Sequence, residues 1–203
     1  MPGSEEALLH PEEAFPFAQA RAALSFEGGA KKIIRTYKDG DELRLDAVIA
    51  SLLCAAIRGR DETKTRRTNF CLIPQVSEAL GDWSQWADGL TFVPASPEAL
   101  RRRDFDHMER VAAICARRLG LPLARLLTSG KGALDQRELG RGERRANRSG
   151  SFALAADAGD GPPARLLLID DVFTTGATLA AATQALLDGG VKEVRAVACC
   201  RVW

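Results

Sequence analysis

The feature that most constrains the fold of this chain is a continuous aliphatic run over residues 165–169, which ends in two adjacent acids, Asp170 and Asp171. A strand that is apolar at successive positions, rather than at alternate ones, is typical of a parallel sheet covered on both faces. A helix over residues 178–188 and an apolar segment over residues 191–200 follow it. This order of strand, helix and strand predicts an α/β fold: a doubly wound parallel sheet with helices on both faces.

Helical and extended patterns alternate through much of the remaining chain. Apolar residues recur at helical spacing over residues 43–58 and 105–120, where Gly59 and Gly120 supply stops. Short strands are predicted over residues 69–73, 90–93 and 123–127, and a further helix over residues 77–86. The alternation extends the predicted sheet on the amino-terminal side of the aliphatic run.

The chain length of 203 residues suits one domain with an appendage. Residues 1–40 are predicted to form an amino-terminal arm or hood, because their beginning is rich in Glu, Pro and Gly and shows little periodicity. Residues 41–203 then form the α/β domain. Trp83 and Trp86 are expected to pack in its core rather than to stack on bases, since no arginine pattern accompanies them.

Positive charge is concentrated in one quarter of the chain. The 28 basic and 27 acidic residues give a net charge of +1, so no overall field attracts nucleic acid or anionic lipid. Residues 101–150, however, carry 13 basic and 6 acidic groups, a net charge of +7. Such a stretch is either a solvated basic face or a surface for an anionic partner.

The sequence gives no indication of a membrane or secreted protein. Its longest nearly unbroken apolar run, residues 47–57, is far shorter than the ~20 residues that cross a bilayer. The amino terminus is acidic where a secretory signal is basic. The five cysteines form no CxxC pair, so they are expected to be reduced core or strand residues rather than zinc ligands. These observations predict a cytoplasmic protein.

The turn after the two acids has the composition of a phosphate site. In open α/β sheets, ligands bind beyond the carboxyl ends of the strands, and a helix start offers unpaired N–H groups and a partial positive charge. The adjacent acids suit ribose hydroxyls or Mg²⁺. The segment therefore predicts a sugar-phosphate site. Its residues are Asp170, Asp171, Val172, Phe173, Thr174, Thr175, Gly176, Ala177 and Thr178.

A plain strand end with a helix cap is the alternative to this site. In that case Thr178 is the N-cap and Asp171 shapes the turn. Neither of two rival phosphate motifs, GxxxxGK[ST] and GxGxxG, occurs in the sequence. Nucleoside triphosphatases and dinucleotide-binding proteins therefore lose support.

This segment resembles the signature of the type I phosphoribosyltransferases, an aliphatic strand followed by DDxxTTGxT. The resemblance implies the type I phosphoribosyltransferase-like fold with a small amino-terminal hood, and phosphoribosyl pyrophosphate (PRPP) as ligand. It implies a reaction in which a nitrogen nucleophile displaces pyrophosphate from the anomeric carbon. Mg²⁺ is the implied cofactor. The ion would be held through PRPP, with contacts to Asp170 and Asp171, and not by a site made of protein alone.

Upstream segments narrow the resemblance to the ComF family, which shows an RGFDH-like box and a QxxLxxxxRxxN pattern. Phe105, Asp106, His107, Gln136, Leu139, Arg144 and Asn147 occupy those spacings. Two departures stand out: the CxxC zinc ribbon of many relatives is absent, and Asp104 replaces the glycine of the box. If that position needs a positive φ, Asp tolerates it; if it needs close approach to pyrophosphate, Asp104 weakens catalysis.

The resemblance also assigns a pyrophosphate loop to residues 94–96. Ala95 would offer its backbone N–H, Ser96 its hydroxyl, and Arg103 a positive charge. Alternatively, Ser96 and Pro97 only begin a helical turn. For His107, a structural hydrogen bond is favoured over general acid or base catalysis.

The basic stretch over residues 128–150 is too long for an ordinary connection and is predicted to be a flexible loop that closes over the site. Its candidate contacts with the departing pyrophosphate are Lys131, Arg141, Arg144 and Arg148. A lid of this kind would also exclude water from the reacting carbon.

Two further functions remain open beside the enzyme. One is a non-catalytic sensor that binds PRPP or a nucleotide through the same turn. The other, which membership of the ComF family implies, is an accessory protein of DNA uptake, in which the basic quarter contacts single-stranded DNA or a competence helicase. A homodimer is also left open.

Overall fold

The computed structural model describes residues 15–39, 42, 44–59, 71–72, 81–130, 151–155 and 161–202. The strands are β1 (Gln19–Ser25), β2 (Cys71–Leu72), β3 (Gly89–Phe92), β4 (Leu127–Ser129), β5 (Phe152–Leu154), β6 (Arg165–Phe173) and β7 (Glu193–Arg201). The helices are α1 (Gly28–Asp39), α2 (Leu45–Arg58), α3 (Pro97–Arg103), α4 (His107–Leu119) and α5 (Ala177–Asp188).

The main sheet has five strands in the order β2-β1-β7-β6-β3. Strands β1, β7, β6 and β3 are parallel, and the two-residue β2 is antiparallel to β1 at the edge. The parallel strands end together, so the segments that follow β6, β3, β1 and β7 meet at one edge of the sheet. This is the predicted parallel α/β architecture.

Helices cover both faces of the sheet, as the aliphatic run predicts. Leu167 and Ile169 of β6 point into a core shared with α1, α2 and α4. Leu166 and Leu168 point into a second core against α5 and the β4–β5 hairpin. All four side chains are fully buried, so both faces of β6 exclude water.

The amino-terminal segment differs from the prediction of an arm over residues 1–40. Within it, β1 lies inside the sheet between β7 and β2, and α1 packs Ile34 and Tyr37 into the first core. Strand β1 lacks a clear apolar alternation because its buried residues are alanines and Arg21, which is 2% exposed. Alanines bury little area, so their periodicity carries a weak signal. Residues 1–14 lie outside the described part of the chain.

Three other predicted elements are altered. Residues 123–127 form no strand of the main sheet: Leu123 makes only a bridge to Leu90, and the chain pairs as β4 with β5 instead. In the described part of the predicted helix 77–86, Trp83–Gln85 forms a single 3₁₀ turn that Asp82 caps. The predicted strand 69–73 is described only at Cys71–Leu72.

An arginine is buried near the amino ends of the parallel strands. The Arg21 guanidinium donates to the carbonyls of Ala56 and Ile57, in the last turn of α2, and to that of Gly81. It also lies 3.8 Å from the centre of the Trp83 ring. Burial, and then a neighbouring arginine charge, lower the pKa of Arg21 to about 10.

Trp83 is 2% exposed, which confirms core packing for this tryptophan. Arginines nevertheless accompany the pair, contrary to the sequence analysis: Arg21 covers Trp83, and the Arg195 guanidinium lies 3.9 Å from the centre of the Trp86 ring. Both arginines come from strands far away in the sequence, so no local motif shows them.

Two observations concern the described cysteines and helices. Cys54, Cys115, Cys199 and Cys200 are reduced cysteines buried within the core. No described helix has both the length and the apolar character that crossing a membrane requires.

Candidate functional site

The predicted sugar-phosphate site lies where β6 passes into α5. Strand β6 continues to Phe173, so both acids sit within the strand rather than just after it. Asp170 pairs in register with Ala198 of β7, and the residues Asp170 and Asp171 are 8% and 5% exposed. Because the parallel strands end at this edge, the turn after Phe173 opens beside the loop that follows β3.

Asp171 lies at the centre of a network of charged groups. Its Oδ2 atom is 2.7 Å from the Lys38 Nζ atom and 2.9 Å from the His107 Nε2 atom. The Arg103 Nη1 atom is 3.4 Å from His107 Nδ1. Arg103 can only donate, so Nδ1 is the acceptor and the His107 proton lies on Nε2, where it is donated to Asp171.

The two adjacent acids have opposite pKa shifts. Burial, and then the negative charge of Asp171, raise the pKa of Asp170 well above its usual value. Burial acts in the same direction on Asp171, but the His107 hydrogen bond and the Lys38 charge outweigh it, so the pKa of Asp171 is lowered. At neutral pH the site therefore holds an ionised Asp171 whose counter-charge is an amine from another element.

Helix α1 brings that amine to the site, which the sequence analysis did not predict. Tyr37 is 2% exposed and donates a hydrogen bond of 2.8 Å to the backbone carbonyl of His107. The neighbouring Lys38 then reaches Asp171. The only signal in the sequence is a lysine beside the single tyrosine of the chain, and nothing local relates either residue to β6.

The turn that precedes α5 depends on Gly176. Its φ is 77°, a left-handed conformation that favours glycine. A Cβ atom there would approach ring atoms of Phe15 and Phe173 to within 2.9 Å. The turn is therefore held from behind by these two rings, whose centroids are 6.1 Å apart in an edge-on arrangement.

The front of the same turn is polar. Thr174, Thr175 and Thr178 are exposed, and the N-cap residue of α5 is Gly176, which has no side chain to cap the helix. The alternative in which Thr178 is the N-cap is thus wrong. Val172 and Ala177 are half-buried. The Thr175 Oγ1 atom accepts from the Ala177 N–H at 3.4 Å. Three hydroxyls beside a helix start can receive an anion.

The predicted pyrophosphate loop is tied down by the protein itself. Ser96 is the N-cap of α3, where its Oγ atom accepts from the Ala99 N–H, and Pro97 is the first helical residue. The Ala95 N–H donates to Asp106 Oδ2 at 2.7 Å. In this conformation the helical-turn interpretation of Ser96 describes the loop, and the Ala95 amide is engaged.

Asp106 serves two segments at once. Its Oδ2 atom accepts from Ala95, and its Oδ1 atom accepts from Met108 and Glu109 at the start of α4. Asp106 therefore fixes the loop after β3 relative to the helix that carries His107. The sequence analysis placed Asp106 in the box motif without a role.

Asp104 adopts the conformation that the missing glycine would favour. It has φ 61° and ψ 2° and closes α3, with its N–H donating to the Leu100 carbonyl. It is the only non-glycine residue with positive φ in the described chain. The sequence analysis left two explanations for a glycine at this position, a positive φ or close approach to pyrophosphate. The structure supports the first, because the backbone here is left-handed.

The structure thus brings Asp171, His107, Arg103 and Lys38 together, with Asp170 and the threonine turn beside them.

The predicted loop residues Lys131, Arg141, Arg144 and Arg148 lie outside the described residues. The described ends of that stretch are paired: β4 runs antiparallel to β5, and Ser129 Oγ donates to the Ala95 carbonyl at 3.0 Å. The base of the basic stretch is therefore attached to the loop after β3.

A metal ion does not fit on Asp171 in this arrangement. The described residues include no group of three or more His, Cys, Asp or Glu side chains that could hold one. The Oδ2 atom already receives His107 and Lys38. A cation bound there would face the Lys38 ammonium at close range.

Comparison with known proteins defines the class first. Residues 109–202, from α4 to the end of β7, match the phosphoribosyl transferase domain family. The matched segment contains both acids, the threonine turn and the two central strands. The parallel α/β fold is consistent with that of the type I phosphoribosyltransferases.

A curated relative then narrows the assignment. The chain is 27% identical over 164 residues to "Competence protein F" of Haemophilus influenzae, an alignment that covers 80% of this chain and 64% of the relative. The alignment thus spans less than two thirds of the relative's length. The chain is similar to competence protein F, and its carboxyl-terminal half is similar to the phosphoribosyl transferase domain.

Proposed function

We propose that the protein binds PRPP or another ribose 5-phosphate ester between the acids of β6 and the start of α5. The observation that carries this proposal is the exposed threonine turn at the start of α5, separated by two residues from two buried acids. Hydroxyl groups and N–H groups favour the phosphate, while carboxylates favour the ribose hydroxyls. Both ends of one small ligand are therefore matched.

The phosphate end is supported by geometry and charge. Gly176 adopts the left-handed conformation that lets the turn pack against Phe15 and Phe173 while its threonines face outward, and the partial positive charge of α5 points at the turn. The three threonine hydroxyls are exposed and can rotate to donate. No acidic side chain follows Asp171 before the end of the first helical turn, so nothing in this turn repels a phosphate.

The ribose end is supported by the charge of Asp171. The carboxylate stays ionised through its contacts with Lys38 and His107, so it can accept hydrogen bonds from sugar hydroxyls. Asp170, whose pKa is raised, retains its proton over a wider pH range and can also donate. Asp171 can accept hydrogen bonds, and Asp170 can both accept and donate them. This combination suits the two neighbouring hydroxyls of a ribose.

As an enzyme, the protein would transfer the ribosyl group to a nitrogen nucleophile. The bond from the anomeric carbon to the pyrophosphate oxygen breaks, the carbon–nitrogen bond forms, and the proton of the nucleophile passes to solvent or to the product pyrophosphate. Described residues would act mainly by positioning and by charge. Mg²⁺ is proposed only as part of the ligand, on pyrophosphate oxygens, where it neutralises the leaving charge.

Thermal denaturation with ribose 5-phosphate, PRPP and nucleoside monophosphates tests the binding proposal. At a hundredfold excess over the dissociation constant, the bound ligand should add about 2.7 kcal/mol to the free energy of unfolding. A double variant, Thr174→Val with Thr175→Val, should lose this stabilisation because it keeps the side-chain shape and removes two hydroxyls. Thr36→Val, an equally exposed threonine on α1, is the matched control. The absence of a shift with every ligand would refute the proposal.

Turnover is tested separately from binding. Release of pyrophosphate from PRPP that requires an added base or amine would support the enzyme. Binding of PRPP without release, over a panel of acceptors, would support a sensor that uses the same turn.

A role in competence is the second candidate, and the name of the relative favours it. In the described residues, Arg101 and Arg102 at the end of α3 are exposed beside the site and could contact single-stranded DNA or a partner such as a helicase. Salt-sensitive binding of a labelled single strand that survives Asp171→Asn but falls with Arg101→Glu and Arg102→Glu would support this role. If Arg101→Glu and Arg102→Glu left the binding of single-stranded DNA unchanged, these two arginines would have no part in a competence role.

A further inference from the structure

Lys38 is the residue of the site that neither the motifs nor the matched family segment includes. It belongs to α1, outside residues 109–202. Its Nζ atom lies 2.7 Å from Asp171 Oδ2, and its side chain is 33% exposed while that of Asp171 is 7% exposed. A partly solvated amine thus reaches a buried acid at the mouth of the proposed ligand site.

We propose that Lys38 is the built-in cation of this site: its ammonium group occupies the place on Asp171 where a divalent metal ion would otherwise bind. The acid pair therefore holds a ribose phosphate without a protein-bound metal. This inference rests on the proposed function for its ligand, but the exclusion of metal by Lys38 can be measured without any sugar.

Occupancy of the Asp171 carboxylate carries the first part of the argument. Oδ2 already accepts from His107 Nε2 and from Lys38 Nζ. A magnesium or manganese ion sits about 2.1 Å from a carboxylate oxygen, so an ion on Oδ2 would lie within about 5 Å of the ammonium nitrogen. Two cations at that distance repel each other strongly in a buried site. Lysine and metal are therefore alternatives.

The rigidity of α1 carries the second part. Ile34 is 1% exposed and Tyr37 is 2% exposed, so the last turns of the helix are fixed in the core. Tyr37 also donates to the carbonyl of His107, the residue that shares Asp171 with Lys38. The backbone of Lys38 is thus positioned against α4, and only its side chain needs to order. The ion pair therefore costs the side-chain entropy of the lysine but no further backbone entropy.

The burial of Asp171 explains why the site needs a cation. Asp171 lies in a buried strand beside Asp170, whose Oδ1 atom accepts the Asp171 backbone N–H. An ionised Asp171 carboxylate without a counter-charge would be poorly solvated there. Lys38 supplies the charge from within the chain, whereas a divalent ion would have to be recruited from solution.

Binding of Mn²⁺ in the absence of sugar tests the inference. Electron paramagnetic resonance of free Mn²⁺ should show at least tenfold tighter binding by Lys38→Gln than by the unchanged protein. Lys38→Arg keeps the positive charge and should resemble the unchanged protein, and Lys32→Gln, an exposed lysine on the same helix, is the control. Equal affinity in the unchanged protein and in Lys38→Gln, or no binding by either, would overturn the inference.

Ribose 5-phosphate supplies the second readout. Calorimetric affinity of the unchanged protein should differ less than twofold between Mg²⁺ and EDTA, whereas Lys38→Gln should bind at least tenfold more weakly in EDTA. An unchanged protein that itself needs Mg²⁺ would overturn the inference. If the unchanged protein binds no ribose 5-phosphate at all, the proposed function fails, and the Mn²⁺ comparison still decides the role of Lys38.

Discussion

The two ends of the parallel sheet both bury charge, but they neutralise it in different ways. Near the amino ends of the strands, the Arg21 guanidinium donates to the last carbonyls of α2 and lies on the face of Trp83, with the charges of Arg195 and Asp82 nearby. At the carboxyl ends, Asp171 is balanced by a full charge, the ammonium of Lys38, which is one third exposed. Backbone carbonyls, which cannot move away, stabilise Arg21. The Lys38 side chain, which can move, stabilises Asp171.

This difference separates structure from function. The carbonyls at the end of a helix carry part of its negative dipole and cannot leave their place, so Arg21 has no route to exchange its partners for a ligand. A lysine at the surface can exchange an acid for a phosphate or retreat into water. A buried charged residue whose partner is a mobile side chain, as for Asp171, indicates a candidate binding site. A buried charged residue whose partners are backbone groups, as for Arg21, indicates a structural role.

The largest effect is expected at the amino end. Arg21→Met should lower the free energy of unfolding by about 3 kcal/mol, because several carbonyls lose a charged donor while remaining buried. Urea denaturation measures this loss, and the affinity for ribose 5-phosphate should stay within twofold. Arg195→Met, a more exposed arginine on a tryptophan face, should cost only about 1 kcal/mol. A binding defect in Arg21→Met would contradict the separation of the two ends.

Asp171→Asn should have the complementary effect. Affinity for ribose 5-phosphate should fall about a hundredfold, or about 2.7 kcal/mol, because the charged acceptor is lost. The free energy of unfolding should change by less than about 1 kcal/mol, since the ion pair and its desolvation cost disappear together. Calorimetry and urea denaturation on the same sample separate the two quantities. If Asp171→Asn were strongly destabilised but still bound ribose 5-phosphate with unchanged affinity, Asp171 would have a structural role and not a binding role.

The single tyrosine reports on the packing of α1 against the site. Burial, followed by the neighbouring Asp46 carboxylate, raises the pKa of Tyr37 far above its usual value, which is near 10. Absorbance at about 295 nm should therefore show no tyrosinate in the folded protein at a pH where the urea-unfolded chain ionises normally. Ionisation of the folded protein near pH 10 would contradict this packing.

The raised pKa of Tyr37 also determines how the free energy of unfolding changes with pH. Above about pH 10 the unfolded chain loses the phenol proton and the folded chain keeps it, so the free energy of unfolding should fall as the pH rises. Below that pH both states keep the proton and this contribution is constant. Tyr37→Phe should lose about 1 kcal/mol at neutral pH and should lack this part of the alkaline decline.

The smallest effect is expected at Asp104. Asp104→Gly should raise the free energy of unfolding by about 0.5 kcal/mol, because glycine adopts a positive φ without steric cost. Asp104→Val should lower it by about 1–2 kcal/mol. Affinity for ribose 5-phosphate should stay within twofold in the glycine variant. A tenfold gain in affinity would show that the aspartate acts on the ligand and not on the backbone.

Sequence reasoning succeeded where the physical signal is local. The aliphatic run of β6 and the helical spacing of α2 and α4 are repeated within a few residues, so the α/β sheet and its covered faces could be predicted. The turn at Gly176 could be located for the same reason, because its glycine and threonines are consecutive. Its role as a ligand site stays a prediction that the proposed experiments test.

Prediction failed where a residue acts through a partner far along the chain. Residues 1–40 are predicted as an arm because their beginning is rich in Glu, Pro and Gly and shows little periodicity, and only the pairing of β1 with β7 places this segment in the sheet. Lys38 carries no motif, and its importance comes from a contact with Asp171 that the folded chain alone creates. The role of Ser96 as a helix cap was one of two open readings, which loop geometry had to decide.

The paired ends of the basic stretch offer a practical opportunity. The Gly130 N–H donates to the Ser151 carbonyl at 2.8 Å, and β4 and β5 pair beside this bond. New termini could therefore be introduced between residues 130 and 151 by circular permutation without interrupting any strand of the main sheet. Dyes attached at such termini would report on opening of the hairpin next to the β3 loop, and would make the site visible to single-molecule fluorescence.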